Sequence, residues 1–150
     1  MITIVPYQSE HLPGVDALWK DAFPNDAPWN TAAVAVPEKV SFQPGLLFVA
    51  IESDTIVGSI MVGYDGHRGW ISRIAVLASH RNFGIGQALI AVGERHLADL
   101  GCTKVNLQVV ESNAGVVSFY EQAGYQIEKR ISMSKHLDRS VQTHATSAVM

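Results

Sequence analysis

Cysteine is almost absent from this 150-residue sequence, in which Cys102 is the single one. One cysteine cannot form an internal disulfide, so we expect a buried small residue in a reducing compartment, the cytoplasm. The histidines are scattered, with no His-x-x-x-His spacing and no Cys/His cluster. Because structural and catalytic metals are held by such clusters, the sequence predicts no metal site.

Long apolar runs and an excess of positive charge are also missing. Nowhere do eighteen apolar residues follow one another, so no membrane-spanning helix is predicted. The 11 Lys and Arg residues are outnumbered by 14 Asp and Glu, whereas non-specific nucleic-acid binding needs clustered basic residues. Neither a membrane nor a nucleic acid is therefore expected as a partner.

The apolar content of 47% is sufficient for one hydrophobic core. Residues 1–138 are expected to form a single domain, followed by a polar tail at 139–150. Hydrophobic periodicity then predicts the elements of this domain. The predicted strands are 2–5, 46–52, 55–63, 70–77, 104–110 and 125–134, and the predicted helices are 9–23, 31–40, 84–100 and 114–123.

The most informative motif is a turn with two glycines between a predicted strand and a predicted helix. Without a Cβ at Gly84 or Gly86, a diphosphate can approach the backbone closely. The first N–H groups of the helix have no intrahelical partner and point toward such an anion. The motif therefore predicts a phosphate-bearing ligand, with a plain turn as the alternative; its sequence is Arg81-Asn82-Phe83-Gly84-Ile85-Gly86.

A second group of motifs follows the predicted strand 104–110. Asn113 and Tyr120 are seven residues apart, which places them about two helical turns apart on one face. Asn113 is a suitable N-cap for the helix that carries Tyr120. The segment containing Tyr120 reads Phe119-Tyr120-Glu121-Gln122-Ala123-Gly124-Tyr125.

The order of these motifs resembles the GNAT superfamily of N-acetyltransferases. The segment Gly66-His67-Arg68-Gly69 after Gly63-Tyr64-Asp65 further resembles a bacterial branch of small acetyltransferases. The glycine turn resembles the acetyl-CoA pyrophosphate loop, and the Asn113–Tyr120 spacing resembles a second cofactor motif. The resemblance covers roughly residues 46–133. It implies an α/β (α+β), three-layer fold with a mixed, mostly antiparallel sheet of six or seven strands and about four helices. The sheet is expected to be splayed between strands 70–77 and 104–110.

The resemblance also implies acetyl-CoA as the cofactor and a bulge in the strand before the turn. Free N–H groups near Ile74 and Val76 would pair with the pantetheine arm and polarise the thioester carbonyl. Arg81 would add a guanidinium to the phosphates, unless it is a solvated arginine, and Asn113 would contact CoA or act only as a cap. The expected cofactor-binding residues are Ile74, Ala75, Val76, Arg81, Asn82, Phe83, Gly84, Ile85, Gly86, Gln87, Asn113 and Tyr120.

Tyr120 is the expected general acid of an acetyl transfer to an amine. A phenol with a pKa near 10 is protonated at neutral pH and can give its proton to the departing thiolate. The alternative is a core aromatic residue. Many GNAT proteins carry a glutamate on the strand before the turn, but residues 71–76 contain no carboxylate. The candidate bases are Glu111, His67, Asp65 and a water relaying a proton through Ser72.

The candidate acceptor-binding residues are Trp29, Tyr64, His67 and Arg73. Trp29 lies between the first two predicted helices, where GNAT proteins often build the acceptor wall, although it can equally pack at a helix start capped by Asn30. Arg73 would attract a carboxylate on the acceptor. The acceptor itself is left open as a small-molecule amine or an amine of a peptide or protein.

Two other functions remain open at this level. The missing strand carboxylate allows a catalytically inactive CoA-binding module with a regulatory role. A different acyl donor or a hydroxyl acceptor is the second alternative. The family resemblance further implies that homodimers are common, and the predicted strand 125–134 offers an edge for one.

Overall fold

The computed structural model describes residues 1–137, so the predicted tail at 139–150 lies outside the described residues. The described chain contains five strands and four α-helices. No helix within residues 1–137 is long and apolar enough to cross a membrane. The strands are β1 Thr3–Pro6, β2 Leu47–Glu52, β3 Thr55–Tyr64, β4 Gly69–Val76 and β5 Val105–Leu107, and the helices are α1 Leu12–Ala22, α2 Ala32–Phe42, α3 Ile85–Asp99 and α4 Val117–Gln122.

The strands form one sheet in the order β1-β2-β3-β4-β5. The first four strands are antiparallel to their neighbours, whereas β5 pairs with β4 in parallel. The β4–β5 ladder joins only Gly69–Ile71 to Val105–Leu107. Because the ladder stops at Ile71, the outer half of β4 has no partner on that side within the described residues, which confirms the predicted splay.

Helices cover both faces of this sheet, as the three-layer prediction requires. One face packs against the apolar sides of α1 and α2, and the other against α3. Helices α1 and α3 are amphipathic, so burying their apolar side removes hydrocarbon from water at about 25 cal/mol per Å². The largest fully buried side chains are Phe48, Leu18, Leu47, Ile60, Leu89, Ile90, Leu97, Val15, Val36, Val49, Val57 and Val62.

The predicted strand 125–134 is wrong, because this segment makes no ladder in the structure. Its side chains nevertheless contact the β5 region: Lys104 Nζ lies 2.8 Å from Glu128 Oε2, and Gln108 Nε2 donates to Ser132 Oγ at 2.8 Å. The two residues of each contact are 24 positions apart in the chain, so the segment runs beside β5 in the same direction. The side chains of Ile127, Ile131 and Met133 are exposed, so burial of apolar surface does not favour a ladder there. Within residues 1–137 the sheet therefore has five strands rather than six or seven.

Candidate active site

The glycine turn lies where β4 passes into α3, and its backbone is sharply bent. Asn82 and Gly84 have left-handed φ values of 68° and 82°, and α3 begins immediately afterwards at Ile85. The N–H of Ala88 donates to the carbonyl of Gly84 at 3.0 Å. The three helical N–H groups before Ala88 therefore have no intrahelical acceptor, which makes this end of α3 suited to an anion.

The two glycines of the turn are required for different physical reasons. At Gly84 a Cβ would meet no atom within 4 Å, but the positive φ disfavours any other residue. At Gly86 a Cβ would lie 2.8 Å from Cζ of Phe119, so this glycine lets α4 approach the first turn of α3. Gln87 strengthens the same junction, since its Nε2 donates to the Phe119 carbonyl at 3.2 Å. Space for a ligand thus lies at Gly84, whereas Gly86 joins the turn to α4.

The side chains of the turn, Arg81, Asn82 and Phe83, are exposed. Arg81 Nε donates to the carbonyl of Val76 at 3.1 Å, which holds the guanidinium over the last residue of β4. None of the ion pairs within residues 1–137 involves Arg81. Its positive charge is therefore not neutralised by a described carboxylate and remains available to a phosphate.

Strand β4 carries the bulge that the family resemblance implies. The register between β3 and β4 shifts between Ser59 and Met61, so that Arg73 and Ile74 together face the single residue Ile60. Arg73 has φ 53°, in the left-handed region that is unfavourable for an arginine. The bulge lies just beyond the end of the β4–β5 ladder, at the start of the splay.

The Arg73 side chain is held by groups from the end of α1 and the following loop. Its Cζ lies 4.5 Å from the ring centroid of Phe23 and 5.1 Å from that of Trp19. Its Nη2 is 2.9 Å from Asp26 Oδ1, and the two charged side chains are only 16% and 17% exposed. Asp26 therefore occupies the place that we predicted for a carboxylate of the acceptor.

Tyr120 lies in α4, with its ring in edge contact with Phe119 and Tyr125 at centroid distances of 5.1 and 6.3 Å. Burial raises the pKa of Tyr120 above the usual tyrosine value, so the phenol is protonated at neutral pH. No buried polar side-chain atom within residues 1–137 lacks a hydrogen-bond partner, and none of the described hydrogen bonds uses the Tyr120 hydroxyl. The hydroxyl is thus accessible and can donate to a ligand.

Glu111 and Asn113 lie in a 3-10 segment, Glu111–Val116, between β5 and α4. Asn113 has a non-helical backbone, φ −113° and ψ 28°, and its side chain caps no helix. The prediction that Asn113 is the N-cap of the Tyr120 helix is wrong, because the 3-10 segment intervenes and α4 begins at Val117. Both side chains are exposed, so Glu111 can accept a proton from solvent or ligand.

Trp29 lies in the loop between α1 and α2 and is 55% exposed. Its ring meets that of His136 edge-on, with centroids 4.8 Å apart. The same loop contributes Asp26 to the ion pair with Arg73, so it adjoins the bulge of β4. The alternative in which Asn30 caps α2 is wrong, since Asn30 lies inside a separate 3-10 segment. Trp29 thus belongs to an exposed aromatic pair in the loop that contacts β4.

Tyr64 and His67 are placed at the other end of α3 from the glycine turn. The Tyr64 hydroxyl is 3.9 Å from where a Cβ on Gly101 would lie, and the 15 residues of α3 span about 22 Å. In the β3–β4 turn, Asp65 Oδ1 accepts the backbone N–H groups of Arg68 and His67 at 2.7 and 2.8 Å. These bonds hold the pKa of Asp65 below its ordinary value, which makes it a weak base. The structure does not bring Tyr64, Asp65 or His67 close to Tyr120.

Sequence reasoning missed two residues that contact the bulge. Ser59 of β3 is completely buried, and its hydroxyl bonds to the Arg73 carbonyl. A serine inside the apolar run 56–62 was a usable signal, because a buried hydroxyl must find a partner. No local pattern identifies Asp26 as the partner of Arg73, since the two are 47 residues apart.

The fold of this chain is shared with solved acetyltransferases. The aminoglycoside N-acetyltransferase AAC(6')-Iy in complex with CoA aligns with a TM-score of 0.74 and 20% identity, over 91% of this chain and 95% of that one. The NatC complex bound to Gag peptide and CoA aligns with a TM-score of 0.73 and 20% identity, over 87% of each chain. The architecture is therefore that of the N-acetyltransferases.

Sequence relatives agree with the fold. Residues 12–125 match the acetyltransferase (GNAT) family. An acetyltransferase of Yersinia pseudotuberculosis is 39% identical over 110 residues, which cover 73% of this chain and 78% of the relative. One of Pectobacterium atrosepticum shows the same identity and coverage. The chain belongs to the acetyltransferase (GNAT) family, as its motifs predicted, and is an acyltransferase.

Proposed function

We propose that this chain transfers the acetyl group of acetyl-CoA to a primary amine by direct attack of the amine on the thioester. The observation that carries the proposal is the meeting of three chemically distinct parts at the first turn of α3. They are the unpaired N–H groups of the helix, the end of bulged β4 and the α4 helix of Tyr120. Arg81 connects the turn to Val76, and Phe119 packed on Gly86 connects it to α4.

Acetyl-CoA is proposed to lie across the turn and along the unpaired part of β4. The backbone N–H groups from Asn82 to Gln87 bind the pyrophosphate, and Arg81 adds a positive charge. The pantetheine arm pairs with the backbone of Ile74–Val76, because β5 leaves this edge of β4 without a ladder. The exposed side chain of Asn113 contacts CoA from the other side of the splay.

The proposed chemistry forms one C–N bond and breaks one C–S bond. The amine nitrogen attacks the carbonyl carbon, while an N–H at the bulge stabilises the oxyanion. Tyr120 then gives its proton to the departing thiolate of CoA. Glu111 is the proposed acceptor of the proton that the amine loses, directly or through water. Asp26 is less suited to this role because Arg73 already binds it.

The acceptor is proposed to approach from the side of the loop between α1 and α2. Asp26 brings this loop against the bulge, and Trp29 provides an exposed aromatic wall beside it. Similar folds in complexes with an aminoglycoside-based analogue and with a peptide support an amine acceptor of either size. Tyr64 and His67 take no part, because they lie at the opposite end of α3.

The proposed function is tested by release of free thiol from acetyl-CoA in the presence of separate amines. The panel comprises an aminoglycoside, a polyamine, a lysine-containing peptide and a peptide with a free N-terminus. We expect thiol release with at least one amine, and mass spectrometry should show that this amine has gained one acetyl group. Binding of acetyl-CoA without turnover on any amine would instead favour a regulatory CoA-binding module, and product mass would reveal a different acyl chain.

We further propose that the chain acts in the cytoplasm, where its single cysteine stays reduced, and forms a homodimer. The exposed apolar side chains beside β5 support the dimer, because pairing of two copies there would remove them from water. Sedimentation velocity should show a dimer that Ile131→Glu converts to monomer. Wild-type protein that sediments as a monomer throughout the micromolar range would contradict it. The side chains concerned are Ile127, Ile131 and Met133.

A further inference from the structure

Ser59 is the polar residue that the described chain buries completely in its core. Its Oγ accepts a hydrogen bond from Trp19 Nε1 at 2.9 Å and donates one to the carbonyl of Arg73 at 2.9 Å. The directions of both bonds are unambiguous, because an indole nitrogen can only donate and a carbonyl can only accept. The single hydroxyl proton of Ser59 therefore belongs to the Arg73 carbonyl.

This carbonyl lies at the bulge, where the backbone conformation is unfavourable. Arg73 has φ 53°, which an arginine adopts only when its surroundings impose it. The bulge breaks the regular pairing opposite Ile60, and the Ser59 hydroxyl supplies a donor for the Arg73 carbonyl in place of a ladder bond. Trp19 limits the freedom of that hydroxyl, since its indole N–H fixes the direction in which the oxygen accepts.

The direction of the Arg73 carbonyl determines the direction of the next N–H group. The peptide bond between Arg73 and Ile74 is planar and trans, because no cis peptide occurs within residues 1–137. In a trans peptide the C=O and N–H point in opposite directions. The carbonyl points to Ser59 on β3, so the Ile74 N–H points away from β3, toward the side on which β5 has stopped pairing.

We propose that Ser59, supported by Trp19, is a positioning residue for acetyl transfer. By holding the Arg73 carbonyl, Ser59 aims the Ile74 N–H at the thioester carbonyl in the splay. This inference rests on the proposed function, and it assigns a role to two side chains that touch neither the cofactor nor the acceptor.

The test measures the infrared carbonyl stretch of bound acetyl-CoA that carries carbon-13 in its acetyl carbonyl. A hydrogen bond from the bulge lowers this stretching frequency, and no acceptor amine is needed. We expect a red shift with wild-type protein and loss of most of it with Ser59→Ala, while acetyl-CoA affinity stays nearly unchanged because the glycine turn is intact. With an active acceptor, kcat of Ser59→Ala should fall about 10- to 100-fold.

Three further variants separate positioning from general destabilisation. Val57→Ala truncates a fully buried side chain of the same strand and should lower the melting temperature but keep the red shift. Ser59→Thr keeps the hydroxyl and should restore the shift. Trp19→Phe removes the indole N–H together with part of the buried ring and should retain part of the red shift. If Ser59→Ala does not fold, Ser59→Cys replaces it, because a thiol is a weak donor and should give a partial loss.

The outcomes distinguish this inference from the proposed function. A red shift of wild-type size in Ser59→Ala or Ser59→Cys would overturn the role of Ser59 and leave acetyl transfer unaffected. Wild-type protein that binds acetyl-CoA without any red shift would overturn the N–H contact at the bulge, and with it both this inference and that step of the proposed function.

Discussion

Replacing Tyr120 with phenylalanine is expected to lower kcat by about 10²- to 10⁴-fold, the range for loss of a general acid. The change removes the accessible hydroxyl but keeps the ring and its edge contacts with Phe119 and Tyr125. Because the phenol is proposed to act only as the thiolate departs, KM for acetyl-CoA should change little. Steady-state kinetics with the best amine of the panel measures both parameters.

The pH dependence of kcat provides a second readout of Tyr120. Burial raises the pKa of Tyr120 above its usual value near 10, and the general acid is active only when protonated. The wild-type rate should therefore hold through neutral pH and fall only above about pH 10. In Tyr120→Phe the residual rate should lack this alkaline decline.

Tyr125→Phe is the matched control for Tyr120→Phe. It removes a neighbouring phenol that already donates to Glu94 Oε2 at 2.7 Å and so has no proton to offer a thiolate. Its kcat should remain close to that of wild type. An unchanged kcat in Tyr120→Phe would mean that Tyr120 has only a packing role. The departing thiolate would then be protonated by water.

Replacing Gly84 with valine is expected to abolish binding of acetyl-CoA. At about 100 times Kd, a ligand specific for the folded state adds roughly 2.7 kcal/mol and should raise the melting temperature of wild type by roughly 5–10 °C. A β-branched residue is strained at φ 82°, so the turn must rearrange, and its side chain would fill the open space at Gly84. Thermal unfolding of Gly84→Val should show no shift with acetyl-CoA.

Gly66→Val is the control for the strain of this substitution. Gly66 also has a positive φ, 93°, and open space around a Cβ, but it lies in the β3–β4 turn. Its variant should lose stability like Gly84→Val and still show the full shift with acetyl-CoA. Arg81→Ala should lose only part of the shift, because the backbone rather than the guanidinium carries most of the phosphate contact. Complete loss in Arg81→Ala, with binding retained in Gly84→Val, would contradict this account.

Much of the fold could be predicted because its elements have clear hydrophobic periods and strong turn residues. The bounds of β2, β3, β4 and α3 lie within one or two residues of the prediction. The errors fall where the local pattern permits two structures. The alternating apolar residues of 125–134 favour a strand, but a strand also needs a pairing partner. Likewise Asn113 is a good cap in isolation, yet a 3-10 segment precedes α4.

By itself, the sequence determined the family and the position of the glycine turn, because these depend on local periodicity and on residues that are neighbours in the chain; the splay of the sheet was implied by the family resemblance. Only the tertiary structure decided how the bulge of β4 is held. Asp26, Ser59 and Arg73 come from a loop and two strands, and they meet only after α1 has packed on the sheet. Contacts between such distant residues depend on packing and register, and no local pattern in the chain specifies them.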